Sequence, residues 1–366
     1  MPVTTATEKG FMNTIGQSIF LAVALAAVAS TPVPAESSPA LRTATYLTWQ
    51  RNPSTTMTVH WHSVNTTDPG AARYRPADDN DADWQTVPGT TVVMPGDATK
   101  RIHTAEFTAL DPDTLYDMQI VGDDEVFRFR TMPATLNRPI RFAVGGDMYK
   151  QDAVLDVMCR RVGEREVDFM LFGGDICNAN GLLRNAPRWG KFFDIVEENM
   201  VGEGNRLIPI VPAIGNHEVQ DGGFNQTANH APFFYSLFAF PGEPGYGALD
   251  FGQYLSVLCL DTQHTNPVAG EQSDWITAAL EARKQIPHVL AVYHVPAWPS
   301  ARNPRNLQSR RVREAWVPIF EAHGLDFAFE HHDHAYKRTH PSRNNRIDST
   351  GPVYFVDGGF ASGENR

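Results

Sequence analysis

Cysteine is scarce in this 366-residue chain, which has only Cys159, Cys177 and Cys259. Three thiols exclude a disulfide framework and any four-cysteine zinc site, since one bridge at most would leave an odd thiol. Positive charge is also in deficit: Lys and Arg number 31 against 42 Asp and Glu, a net charge of −11. A phosphate-backbone footprint needs a basic face, so no nucleic-acid partner is expected. A local basic pocket for a small anion is still compatible with that balance. Long apolar runs are missing as well, and outside the N-terminus nothing approaches the roughly 20 apolar residues of a spanning helix. At the N-terminus, Ile19–Ala29 (IFLAVALAAVA) has the length of a signal-peptide core, with Lys9 upstream and a small-x-small site at Ala27-Val28-Ala29. Residues 1–30 are therefore expected to be an export signal and residues 31–40 a Pro/Ser/Ala linker. The mature protein is expected to be secreted or periplasmic, without stable membrane association once the signal is cleaved.

What is present suffices for packed cores: hydrophobic residues make up 42% and charged residues 20% of the chain, an ordinary globular balance. The length suggests about two domains. Residues 41–133 read as short strands. Thr56–Ser63 (TMTVHWHS) places Met57, Val59 and Trp61 on one face, with threonine and histidine on the other. Similar runs at Thr91–Met94, His103–Leu110, Leu115–Val121 and Val126–Thr131 are separated by Asp, Gly and Pro turns. That spacing suits an antiparallel β-sandwich. Leu110–Tyr116 reads as a corner in which the Tyr116 hydroxyl bonds back to the backbone. Ala77–Asp83 (ADDNDAD) lacks the sixth-position glycine and distal glutamate of a calcium loop, and reads as a solvated hairpin tip.

Residues 139–366 change rhythm to buried strands alternating with amphipathic helices, the α/β pattern. The strands are Ile140–Gly146, Val167–Gly174, Leu207–Ile214, Leu255–Leu260, Val289–Val295, Leu325–Phe329 and Val353–Asp357. Helices are expected over Ser273–Gln285 and Ser309–His323, the second with Val312, Trp316 and Phe320 as its buried stripe.

Polar groups recur where these strands end, the edge at which open α/β sheets hold ligands. They are Gly145-Gly146-Asp147, Gly173-Gly174-Asp175, Gly215-Asn216-His217-Glu218, His294 and His331-His332-Asp333-His334. Singly, a Gly-Asp pair is a turn and a lone histidine is structural. Together, two carboxylates, an amide oxygen and three imidazoles form a mixed O/N donor set. Such a set suits borderline divalent metals or iron, and not calcium or a thiolate zinc site. With that many donors, a pair of metals about 3.5–4 Å apart fits, the arrangement used for in-line displacement at phosphorus.

With these motifs in this order, the chain resembles the purple acid phosphatases of the calcineurin-like metallophosphoesterase superfamily. Leu47-Thr48-Trp49 through Thr131-Met132-Pro133 resembles that family's N-terminal fibronectin-III-like domain. Asp147 stands at the GDxG motif, Asp175 at GDxxY, Asn216 and His217 in GNHE, and His332 and His334 in GHxHxY. The resemblance implies an all-β sandwich followed by a metallophosphoesterase domain, itself a β-sandwich flanked by helices. It implies two metal ions per chain: iron, zinc, manganese or another divalent metal. One ion would take Asp147, Asp175 and His334, and the other Asp175, Asn216, His294 and His332. His217 would be the general acid for attack of a metal-bound hydroxide on a phosphate monoester, with Glu218 orienting it. Imidazole suits that role because it titrates near working pH.

The chain departs from the family at Asn178, where the ferric phenolate tyrosine would stand. Loss of that ligand implies a colourless enzyme with two divalent metals, unless Tyr149 supplies a phenolate. No substrate-binding residue is assigned; Arg302 and Arg305 are candidates for phosphate. The expected partner is a small phosphorylated substrate. A phosphodiesterase or nucleotide pyrophosphatase on the same metal core, or a non-catalytic surface-binding protein, are the alternatives that sequence leaves open.

Overall fold

The computed structural model describes residues 41–79 and 81–361, so the signal and linker readings lie outside the described residues. Period-two alternation builds the first strands: Leu41–Thr48 (β1), Met57–Val64 (β2), Ala71–Pro76 (β3), Gln85–Pro88 (β4), Thr90–Met94 (β5), Asp97–Phe107 (β6), Leu115–Ile120 (β7) and Phe127–Arg130 (β8). They form two antiparallel sheets, in the order β1-β2-β6-β5 and with β4-β3-β7-β8 adjacent in the other. Met57, Val59 and Trp61 point into the core with Phe107, Met118 and Phe129. The corner forms as expected, with the Asp111 backbone N–H donating to the Tyr116 hydroxyl at 2.8 Å. The expected hairpin tip falls between β3 and β4, which pair antiparallel.

The second part continues with Phe142–Gly145 (β9), Asp152–Glu164 (α1), Phe169–Gly173 (β10), Ala186–Asn199 (α2), Val201–Gly202 (β11), Arg206–Leu207 (β12), Ile210–Ala213 (β13), Pro232–Leu237 (α3), Gly247–Phe251 (β14), Leu255–Cys259 (β15) and Glu271–Ala282 (α4). It ends with His288–Val292 (β16), Leu307–Ala315 (α5), Val317–His323 (α6), Phe327–Glu330 (β17), Tyr336–Arg338 (β18), Ser342–Arg343 (β19), Arg346–Ile347 (β20) and Val353–Asp357 (β21). Two sheets, β13-β10-β9 and β14-β15-β16-β17-β21-β18, stack face to face. On β10, Phe169 and Leu171 meet Leu290 and Val292 of β16 between the sheets. Met170 and Phe172 turn outward to Leu155 of α1 and Phe192 of α2. On β16, Val289 and Ala291 likewise turn toward Ile276 of α4 and Phe320 of α6. Both faces of each sheet are covered, which is why these strands are nearly continuous apolar runs. Strands β9, β10 and β13 run parallel, as do β15, β16, β17 and β21, so within each sheet their C-terminal ends share an edge.

Three features differ from the sequence expectation. The helix expected over Ser309–His323 is two helices, α5 and α6. Pro318 has no N–H to continue the first helix and sits well in the first turn of a new one. Val312, Trp316 and Phe320 nonetheless remain fully buried. The strand expected over Leu207–Ile214 breaks at Pro209 into β12 and β13, and β12 pairs in parallel with β8 of the first part. Finally, β2 is buried on both faces, because α2 packs against the outer face of the first sheet. Tyr46 stacks on His60 at 4.8 Å and on Phe193 of α2 at 4.0 Å. His60 is bonded to the Thr48 and Thr104 hydroxyls, and His103 to those of Ser63 and Thr91. These polar partners are what make buried imidazoles tolerable. Among the described residues, no helix is long and apolar enough to cross a membrane.

Candidate metal centre

Each sequence-derived site residue lies just past a strand end. Asp147 follows β9, Asp175 β10, Asn216 β13, His294 β16, and His332 and His334 β17. Three of them sit in the left-handed backbone region: Asp147 (φ 53°), Asp175 (φ 51°) and His332 (φ 65°). Non-glycine residues adopt it at a cost of order 1 kcal/mol or more, and such residues gather at functional sites. The Gly-Gly pairs before both aspartates have a packing cause. A Cβ on Gly146 would lie 2.6 Å, and one on Gly173 1.8 Å, from the buried His331 ring.

The donors converge in two groups. His294 Nε2 lies 3.0 Å from Asp175 Oδ2, 3.1 Å from His332 Nδ1 and 3.2 Å from Asn216 Oδ1. His334 Nε2 lies 2.9 Å from Asp147 Oδ1, whose second oxygen accepts the His332 backbone N–H at 2.9 Å. The ligating atoms of Asp175, His294 and His332 all fall within 4.8 Å of one another. One imidazole proton cannot satisfy three neighbours. Donors about 3 Å apart are instead the edges expected around a metal with bonds of about 2.0–2.2 Å. The donor set therefore fits a metal centre.

Electrostatics agree with the geometry. Burial alone would lower the His294 pKa, but the charge and hydrogen bond of Asp175 outweigh it and raise it to about 9. A carboxylate that attracts a proton to Nε2 attracts a metal cation to the same place. Burial, then the charge of His294, lowers His332 to about 2, leaving the neutral lone pair that ligation needs. The other ring nitrogen of His294 faces the Gly173 carbonyl at 2.9 Å, which fixes the ring with Nε2 toward the donors.

His217 stands at the mouth, its side chain 35% exposed, with Nε2 3.8 Å from Asp175 Oδ2. Its Nδ1 is bonded to Asn180 Oδ1, and its backbone N–H donates to Asp175 Oδ1 at 2.7 Å. Glu218, expected to orient His217, does something else. Its carboxylate accepts the backbone N–H groups of Asp175, Ile176 and Gly215, each at 2.8 Å, tying two strand-end loops together. Burial, then the Asp175 charge, raises its pKa to about 7.

Asn178 donates its amide to the Tyr149 carbonyl at 3.0 Å, and Arg188 Nη2 donates to the same oxygen at 3.2 Å. The Tyr149 hydroxyl bonds to Asp152 at 2.6 Å, so Tyr149 does not join the converging donors. Cys177 is buried, and burial pushes its thiol well above the usual range, as for an inert filler. Arg302 donates from Nε and Nη2 to the His332 carbonyl at 3.1 and 3.0 Å. Arg305 is exposed and contributes only a backbone bond to Asn303.

Sequence reasoning missed Asn180 and Asp333. The buried Asp333 accepts the N–H groups of Ser300 and Ala301 at 2.6 and 2.8 Å, anchoring that loop beside the paired histidines. A carboxylate between two candidate ligands was the available signal. The end of β15 was also passed over, although it carries His264, whose ring lies 5.8 Å from that of His294. A cavity of about 580 Å³ lies at the opposite, N-terminal ends of the strands, among Ile140, Phe142, Leu255 and Phe327. Its apolar lining offers no comparable chemistry.

Comparison with known proteins adds independent information. Residues 140–336 match the family model described as calcineurin-like phosphoesterase, and residues 43–131 that described as purple acid phosphatase N-terminal domain. Purple acid phosphatase 15 of Arabidopsis thaliana is 28% identical over 70% of this chain and 53% of its own length. Purple acid phosphatase 18 of the same plant is 25% identical over 72% and 59%. An uncharacterized protein of Mycobacterium tuberculosis is 26% identical over 86% of this chain and 68% of its own. The chain thus spans about half to two thirds of the length of these relatives.

Proposed function

We propose that this chain, which belongs to the calcineurin-like phosphoesterases and carries a purple acid phosphatase N-terminal domain, hydrolyses phosphate monoesters of small molecules at the Asp175 centre. The observation that carries this reading is the convergence of Asp175, Asn216, His294 and His332 beside the Asp147–His334 pair. The family implies a dinuclear metal centre, and the two groupings suit it. Asp147, Asp175 and His334 would hold one ion, and Asp175, Asn216, His294 and His332 the other. When bound, such ions polarise phosphoryl oxygens and bring the pKa of water toward neutrality.

The chain's own residues position and protonate. Asn216 adds an oxygen donor without charge, and Arg302 holds the His332 backbone in its left-handed turn. His217 is the group that protonates the leaving alkoxide. With Nδ1 engaged by Asn180, Nε2 is the nitrogen free to carry the transferable proton. Replacing His217 with alanine is expected to leave metal content unchanged. It should slow alkyl phosphates by about 10²–10³-fold and nitrophenyl phosphate far less, since only poor leaving groups need the proton. Equal losses for both substrates would contradict the assignment.

The founding test compares a nitrophenyl phosphate monoester with the matching diester on metal-reconstituted protein. The monoester should be preferred by at least about tenfold in kcat/KM. A diester preference would replace the reading with a phosphodiesterase. No turnover of either, with two ions bound, would sink it.

Iron-loaded protein should lack the visible band of an iron–phenolate bond. Asn178 has no phenolate to give, and the Tyr149 hydroxyl is committed to Asp152. Such a band in the spectrum would overturn that expectation. The export signal expected over residues 1–30 supports a mature protein outside the cytoplasm, and N-terminal sequencing of the exported product would test it.

A further inference from the structure

Asp333 stands between the two paired histidines, and its backbone builds the turns that present both. Its N–H donates to the His331 carbonyl at 2.6 Å, and its own carbonyl accepts the Ala335 N–H at 2.6 Å. Each bond closes a three-residue turn, with His332 at the apex of the first and His334 at the apex of the second. His332, at φ 65°, takes the rarer and more strained form of that turn. Gly358 leaves the room required: a Cβ there would lie 2.5 Å from the Asp333 carbonyl oxygen and 2.7 Å from Asp147 Oδ2. One residue thus spaces two candidate ligands that serve different donor groups.

The Asp333 side chain is fully buried and uneven in its bonding. Oδ2 collects the backbone N–H groups of Ser300, Ala301 and Arg302 at 2.6, 2.8 and 3.4 Å. Oδ1 has no hydrogen-bond partner among the described residues. A buried carboxylate oxygen left without a donor is unfavourable, so a structure that keeps one calls for a reason. What faces it is charge: Arg302 Nε stands 3.5 Å away. The same guanidinium donates twice to the His332 carbonyl, from Nε and Nη2. Burial and the His294 charge lead in lowering the His332 pKa, and the Arg302 charge adds to them, so its field reaches the imidazole. Any cation held by His332 meets that field as a repulsion. Arg302 therefore supports the His332 backbone at an electrostatic cost, and Asp333 is the adjacent anion that offsets it.

We propose that Asp333 is a positioning residue of the metal centre, whose carboxylate neutralises Arg302 so that the arginine braces His332 without weakening the ion which that histidine holds. The proposal rests on the metal-centre reading above and adds to it a residue that acts through its neighbours. Without the carboxylate the brace would be left charged, and without the arginine the strained turn would lose its support.

The test is titration calorimetry of the metal-free full chain with zinc, repeated with manganese, alongside thermal melts of the same samples. Asp333→Asn keeps an oxygen for the loop N–H groups and removes the charge. It should weaken one of the two binding events about ten- to hundredfold, the scale on which groups behind a metal ligand act, and hold the other within about threefold. Arg302→Gln should tighten that same event about two- to tenfold, because the repulsion is gone while the amide can still donate to the His332 carbonyl. With both changes together, binding should return to within about threefold of the original chain. Unchanged binding in Asp333→Asn, equal weakening of both events, or a double variant as weak as Asp333→Asn would overturn the proposal and leave the metal centre standing. If Asp333→Asn fails to fold, Arg302→Gln decides alone: tighter binding of one ion supports the offset, and unchanged or looser binding overturns it. Uptake of fewer than two ions by the unaltered chain would remove the underlying reading, and the proposal with it.

Discussion

Replacing Asp175 with asparagine should lower metal content from two ions per chain to one or none, and reduce turnover by about 10³-fold or more. That loss corresponds to about 4 kcal/mol of transition-state stabilisation. The reason lies in the position of the carboxylate. Asp175 is 2% exposed, with Oδ2 at 3.0 Å from His294 Nε2 and Oδ1 accepting the His217 backbone N–H. Burial alone would raise its pKa, but the surrounding imidazoles, His294 first, hold it well below the usual carboxylate range. In the proposed assignment it is the anion shared by both ions. Asparagine keeps the shape and the acceptor for His217 N–H but removes the charge, so the fold should survive and the metals should not. Elemental analysis and a thermal melt on the same sample separate the two effects. The equivalent change at Asp147, whose Oδ1 meets His334 Nε2, should cost one ion and leave the other. An Asp175→Asn protein that retained two ions and turned over within tenfold of the original would end the assignment.

Acid should destabilise this protein steeply before its ordinary surface carboxylates begin to protonate. Burial lowers His60 from 6.5 to about 3, and burial with the neighbouring His60 and Lys100 charges does the same for His62. A group whose pKa is depressed on folding leaves stability intact above its unfolded value and removes it as pH falls toward the folded one. The window here opens at pH 6.5, where the unfolded chain begins to bind protons that the native protein refuses. Each unit below it should cost roughly 1.4 kcal/mol per histidine, or about 3 kcal/mol for the pair. By pH 5 the pair alone removes about 4 kcal/mol, a large share of the 5–15 kcal/mol that holds an ordinary domain together. Burial also lowers His103, His264 and His331, which lengthen the limb. His62 gives the cleanest test. Its Nε2 has no described hydrogen-bond partner, and its ring meets Tyr46 and Phe193 edge-on. His62→Phe should fit that apolar slot and reduce the slope of unfolding free energy against pH by about one proton between pH 6.5 and 5. Urea titrations across that range measure it, and an unchanged slope would show that His62 is not part of the limb.

Much of the candidate site was legible because strand ends announce themselves. An apolar run buried on both faces must stop where the chain leaves the sheet, and Gly-Gly-Asp, Gly-Asn-His and His-x-His each stand at such a stop. Residue type then limits the chemistry: mixed carboxylate, amide and imidazole donors suit a particular range of metals wherever they meet. The tyrosine corner was legible for a similar reason, since Tyr116 and its partner Asp111 lie five residues apart. Helix boundaries were less so, because the stripe of Val312, Trp316 and Phe320 persists across the break that Pro318 makes.

Sequence alone therefore determined which residues are candidates for the chemistry, where each strand delivers them and which face of each element is apolar, because those properties depend on residue type and short-range periodicity. Only the tertiary structure decided which of those residues touch. His334 meets Asp147 across 187 positions, His217 takes Asn180 instead of its neighbour Glu218, and α2 buries the imidazoles of β2 that alternation alone leaves facing outward. The physical reason is that a hydrogen bond or a stacked ring is set by distance in space. Loops that neighbour each other at the end of a stacked pair of sheets need have no spacing in common along the chain.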